Sequence, residues 1–168
     1  MTNQNMFKVS FTDKKVERFN DGKATVVTLK GNIKLPEQVV FLPKSILSWI
    51  ARYIGNSHSL KCNGMSLQSV GKAVCSDSDA CDPIVGERIA EARAKVSLYR
   101  FMFLLCKRVF NYYYAFLNGG VDVTISIMND NDSLYNAILK YQALHERECE
   151  HLNTLLYDQF NGQGTPQP

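Results

Sequence analysis

Seven consecutive residues carry the densest chemistry in this chain: His145-Glu146-Arg147-Glu148-Cys149-Glu150-His151. Glu148 and His151 have the E-x-x-H spacing that carboxylate-bridged di-iron helices use, and His145 and Cys149, four apart, share one helix face as zinc ligands do. A di-metal site in a helix hairpin also needs a carboxylate at the same level on the first helix. The acids there, Glu87 and Glu91, lie about 27 residues before that predicted helix ends, and Glu148 about 17 after the next one begins. At about 1.5 Å per residue, the two levels differ by roughly 15 Å. The favoured reading of this run is a solvated polar patch that holds no metal.

Other constellations are weaker. Asp77, Asp79 and Asp82 flank Cys81 with the D-x-D spacing of a calcium loop, but the sixth position is not glycine and the twelfth is Arg88 rather than Glu. A polar turn that caps the following helix is the simpler reading. Cys75 and Cys81 lack C-x-x-C spacing, which speaks against a redox or zinc role. There is no nucleophile-elbow motif and no phosphate loop, since Gly64, Gly71 and Gly86 stand alone. The expectation is a protein that is not an enzyme and uses no cofactor.

What remains is cationic and aromatic. Arg93, Arg100, Lys107 and Asn111 fall along one face of a predicted helix, with Ser97 between them and Tyr99, Phe103, Tyr112, Tyr113, Tyr114 and Phe116 nearby in sequence. Guanidinium groups grip phosphate bidentately and aromatic faces stack on bases, so a surface lined this way can enclose a nucleotide. The plainer alternative is that the aromatics are core.

The elements that position these residues follow from periodicity. Phe7, Val9 and Phe11 alternate with polar residues as a half-buried strand does, and Asn20-Asp21-Gly22 marks a turn into a second strand, Ala24 to Leu29. Gly31-Asn32 is read as a further turn into residues 33–35, and residues 39–42, 59–62 and 67–75 as more short strands. Pro43 opens a short helix over Lys44–Ile54, with Ile46, Leu47, Trp49, Ile50 and Tyr53 on its apolar side. Asp82-Pro83 then starts a helix of about ten turns, ended by Gly119-Gly120. Its second half is apolar nearly all round, which predicts burial on several faces and, for so small a protein, a homo-oligomeric interface. Arg100, Lys107, Arg108 and Asn111 argue against a membrane span. Residues 121–128 alternate like a strand or extended connector, Asp130-Asn131-Asp132-Ser133 offers cap chemistry, and a last helix is expected over residues 134–160 before a disordered tail. The fold class is therefore α+β in one domain: a β-rich part (1–81) with an antiparallel sheet and a short helix, then two long C-terminal helices (82–160).

Composition adds limits. The chain has 168 residues, enough to bury a core without metal or disulfides. Five cysteines exclude a complete disulfide framework, and with no signal-peptide pattern they point to a reducing cytoplasm. The net charge of +3 conceals an uneven layout: residues 1–61 carry +6, 62–82 carry −2, 83–118 carry +4 and 119–168 carry −5. This reads either as mutual neutralisation of packed or solvated faces, or as a basic stripe facing a small anionic ligand.

Three stretches, taken in order, bear a resemblance. They are Ala24-Thr25-Val26-Val27-Thr28-Leu29, then Gly71-Lys72-Ala73-Val74-Cys75-Ser76-Asp77-Ser78-Asp79-Ala80-Cys81-Asp82, then Gly86-Glu87-Arg88-Ile89-Ala90-Glu91-Ala92-Arg93-Ala94. The order resembles small phage proteins of the Thoeris anti-defence sponge family. It departs from them in residues 32–66, which look like an insertion, and in the Ser-Asp-Ser that follows the cysteine. The resemblance implies an antiparallel sheet followed by two long helices, oligomers, and sequestration of cyclic ADP-ribose-type signals or cyclic oligonucleotides in the host cytoplasm. Arg88 and Arg93 fall within the matched stretches; Tyr99, Arg100, Phe116, Asn136 and Arg147 are candidate ligand contacts on chemistry alone. The leading expectation is a phage anti-immune sponge that binds a cyclic nucleotide without cleaving it. The rivals are an oligomeric helical protein that inhibits a host protein directly and, ranked lowest because the last segment is acidic, a nucleic-acid-binding accessory protein.

Overall fold

The β-branched run from Ala24 forms the centre of a three-stranded sheet. The computed structural model describes residues 7–33, 43–54, 65–76, 81–118 and 125–161. Within them, β2 (Ala24–Ile33) lies between β1 (Val9–Phe19) and β3 (Met65–Val74) and is antiparallel to both. A short helix, α1 (Lys44–Ile54), and two long ones, α2 (Pro83–Asn118) and α3 (Ile125–Asn161), complete the predicted α+β arrangement. The predicted strands at 39–42 and 59–62, the Gly119-Gly120 stop, residues 34–35 and 162–168, and the Asp77 and Asp79 turn lie outside the described residues.

Asn20, Asp21 and Gly22 take φ of 53°, 55° and 89°, the left-handed conformation that turns β1 into β2 as expected. Gly31-Asn32, however, does not turn: β2 runs through both residues to Ile33. Glycine is there for space. β1 is bulged between Phe11 and Asp13, and a Cβ at Gly31 would stand 3.0 Å from the Ser10 carbonyl oxygen. β1 also extends well past the predicted alternation, through the charged Asp13-Lys14-Lys15 to Phe19.

One face of the sheet packs on the start of α2: Val27, Leu29 and Ala73 meet Ile89, Ala90 and Ala94, with Leu152, Leu155 and Leu156 from the end of α3 alongside. The larger core joins Phe7, Ile33, Ile46, Ile50 and Leu67 to the middle and second half of α2 and to Leu134, Ala137 and Tyr141 from the first half of α3. The two long helices therefore run antiparallel. Asp82 caps α2 as its sequence predicts, its Oδ1 accepting from the Ile84 N–H (2.8 Å) and the Val85 N–H (3.4 Å).

Three expectations change here. Residues 125–128 are helical rather than extended, and Asp130 to Ser133 lie inside α3 rather than at its cap. An alternation this short is a weak signal beside the packing of the following turns on α2. Second, one side of the apolar half of α2 is covered within one chain: Leu98, Phe101, Met102, Leu105, Cys106 and Val109 are buried, with Ile46 and Ile50 of α1 in the same core, while Phe103, Phe110, Tyr112 and Tyr113 are half-buried and Tyr114 is exposed. The single chain thus buries more of this surface than its sequence predicts. Third, Cys75 and Cys81 are joined in a disulfide between the end of β3 and the start of α2. An odd cysteine count excludes a complete framework but not one local bridge. Among the described residues no helix is long and apolar enough to cross a membrane.

Candidate ligand-binding cleft

The bulge in β1 and the antiparallel helix pair together shape an open cleft of about 530 Å³. Phe11 to Lys14 form one wall and Leu29 of β2 contributes to it; Glu91, Lys95 and Tyr99 come from α2, and Arg147 and Glu148 from α3. A bulge re-aims successive side chains, and here four consecutive residues of β1 line the same cavity.

Electrostatics divide the cleft into two parts. On one side, Glu91 is gripped by Lys14 (2.6 Å) and Lys95 (2.7 Å), and Lys14 also reaches Glu87 (2.8 Å), which Arg18 holds from β1 at 2.9 Å. Burial alone would push the Glu91 carboxyl up, but the hydrogen bonds from Lys14 and Lys95 outweigh it and hold the group below its ordinary range. The hydrogen bonds that Lys14 donates to Glu87 and then to Glu91 hold its ammonium above the ordinary range in turn. The charge asymmetry along the sequence is thus met partly by pairing the basic β1 with the acids at the start of α2.

On the other side, Glu148 is 8% exposed, and its only described ionic neighbour is the Arg147 guanidinium at 3.6 Å, beyond hydrogen-bond distance. Tyr99 lies beside it, buried; burial first, and then the negative charge of Glu148, push its hydroxyl above the ordinary range, so it remains a donor. Arg147 itself has a side chain 68% exposed at the mouth, and Phe11 is 47% exposed. The solvated patch expected around residues 145–151 therefore contains one buried acid. His145 and Cys149 do approach each other, at 3.7 Å between Nε2 and Sγ. Among the described residues no group of three His, Cys, Asp or Glu side chains is placed to hold a metal ion.

The predicted axial offset between the helices also changes. Because α3 begins at Ile125, Glu148 lies 23 residues along it and Glu91 lies 27 residues before the end of α2. The difference corresponds to about 6 Å rather than 15 Å, and both acids line the one cleft.

Of the predicted contacts, Tyr99 and Arg147 meet in this cleft. Arg93 lines a smaller cavity of about 160 Å³ beside the disulfide and donates to the Lys72 carbonyl at 2.5 Å. Arg88, Arg100 and Asn136 are exposed and line neither cavity, and the side chain of Phe116 is outside the described set. The basic face of α2 is solvent-facing, with Arg93, Arg100, Lys107 and Asn111 exposed, and several of the aromatics near it serve packing. Trp49 stacks on Phe101 at 5.4 Å under Arg108 (4.6 Å), and Phe110 pairs with Tyr114 and Tyr135. Sequence reasoning missed Phe11, Lys14 and Lys95, and placed Glu148 in a solvated patch rather than in a cleft wall. One signal for Glu148 was present: it continues the seven-residue series Leu134, Tyr141 and Leu155, which marks the buried side of α3.

No family model matches the chain, and neither the curated proteins nor the solved structures compared with it give a match.

Proposed function

We propose that this protein binds a cyclic nucleotide signal in the cleft between β1 and the two long helices and sequesters it without cleaving it, as a phage anti-immune protein in the host cytoplasm. The observation that carries this reading is the meeting of Phe11, Tyr99, Lys95 and Arg147 in one open cleft of a volume suited to a small ligand. Arg147 is open to a phosphate, and the Phe11 ring offers a face to a base. A sponge needs only affinity and abundance. Self-association belongs to the same reading through the exposed Tyr114 near the end of α2 and Tyr135 and Leu139 of α3.

The test is depletion. Incubated with a panel of cyclic nucleotides and then filtered, the protein should remove at least one from solution and return it unchanged on heat denaturation. Recovery of a linear product would make it an enzyme. Retention of a host protein and no nucleotide in a pull-down would favour the direct inhibitor, for which the same exposed aromatic patch is the natural surface.

A further inference from the structure

We infer that the nucleotide base held in this cleft is guanine, read by the carboxylate of Glu148. The inference rests on the nucleotide-binding reading above and goes further by naming the base. Glu148 is buried in the cleft wall, and among the described residues no hydrogen bond reaches its carboxylate; its one ionic neighbour, Arg147, stays at 3.6 Å. The hydroxyl of Tyr99, buried on the same wall, likewise has no hydrogen-bond partner among the described residues. A buried carboxylate without donors is costly, and the two oxygens of Glu148 offer acceptor sites only. The lysines of the cleft do not relieve it, because Lys14 and Lys95 are committed to Glu91.

What such a group lacks is a pair of adjacent N–H donors. Among the common bases, guanine alone carries two side by side, at N1 and at the exocyclic N2, spaced to meet both oxygens of one carboxylate. Adenine presents its N6 donor next to the N1 lone pair, which would face a carboxylate oxygen. Cytosine has the same donor–acceptor mismatch, and uracil flanks its one N–H with two carbonyls. With guanine against Glu148, Tyr99 remains to donate to a ring or carbonyl oxygen, and Arg147 at the mouth is left for phosphate. A site that leaves a polar group unpaired with the wrong ligand discriminates strongly.

Titration of the wild-type protein with matched cyclic dinucleotides of guanine, adenine and hypoxanthine tests this. The expected result is about 100-fold tighter binding of the guanine form than the adenine form, with hypoxanthine, which lacks the N2 donor, weakened about tenfold. Glu148→Gln, with one acceptor and one donor, should shift the preference towards adenine, which a merely structural role would not do. The hypoxanthine comparison stands even if that variant fails to fold, because it needs only the wild-type chain. Equal affinity for guanine and adenine forms would overturn the assignment of the base and leave the sponge reading in place. Failure to bind any of the three, with another nucleotide of the panel retained, would also overturn it. Retention of none at all would overturn both.

Discussion

Gly71 of β3 lies directly against Ala90 of α2: a Cβ at Gly71 would overlap the Ala90 carbonyl oxygen and stand 2.6 Å from the Ala94 amide nitrogen. Two positions earlier on the same strand face, the Ser69 hydroxyl donates to the Ala94 carbonyl at 2.8 Å. The sheet and α2 meet through backbone here, so the clash cannot be relieved by a rotamer change. Gly71→Ala should destabilise the fold by about 3 kcal/mol, read as a lowered urea midpoint, and should widen the gap that sets the cleft wall. An unchanged midpoint would mean that α2 does not sit this close to β3.

Tyr141 ties the start of the chain to α3. Its hydroxyl donates to the Phe7 carbonyl and accepts from the Val9 N–H at 3.2 Å, and Phe7 is buried with φ of 58°. Tyr141→Phe keeps the ring and strands both backbone groups. The expected loss is about 2 kcal/mol, with faster amide exchange at Val9 than at the centre of β2.

The Lys14–Glu91 pair sets a pH dependence. The folded Glu91 pKa lies below the ordinary value of 4.5, so its contribution is present above about pH 4.5 and is lost as pH falls through the folded value. Lys14 is raised above 10.5, so its share is full below that pH and fades above it. The lysine is partly exposed and screened by solvent, so Lys14→Met should cost only about 1 kcal/mol at pH 7. The difference between variant and wild type should shrink towards zero on acidification below pH 4.5, measured by urea melts across pH.

The thiols should separate by accessibility. Burial pushes Cys106 up to about 12, whereas Cys149 is half-buried on α3. Native alkylation followed by peptide mapping should modify Cys149 and spare Cys106. Reducing the Cys75–Cys81 bridge, a six-residue separation, should lower stability by about 2 kcal/mol.

How far the fold could be read from sequence varied with the range of the signal. Pro43, Asp82-Pro83 and Asn20-Asp21-Gly22 act locally, and α1, the start of α2 and the β1–β2 turn fall where they predict. Gly31 was misread because its role is a close approach to Ser10 across the sheet, which no local pattern reveals. The start of α3 was misplaced because helical packing overrides the short alternation of residues 121–128, and that error carried into the level of Glu148. Tyr99 and Arg147 were legible in the site as chemistry on helix faces. Phe11, Lys14 and Lys95 were not, since the bulge and the crossing of β1 over α2 bring them together.

Native mass spectrometry of the protein purified from cells that make cyclic nucleotide signals tests the central claim most directly. The account predicts a chain carrying the mass of one intact cyclic nucleotide per cleft, with that increment lost in Arg147→Ala while the variant stays folded. A bare wild-type chain under those conditions, or a bound nucleotide heavier by one water, would contradict it.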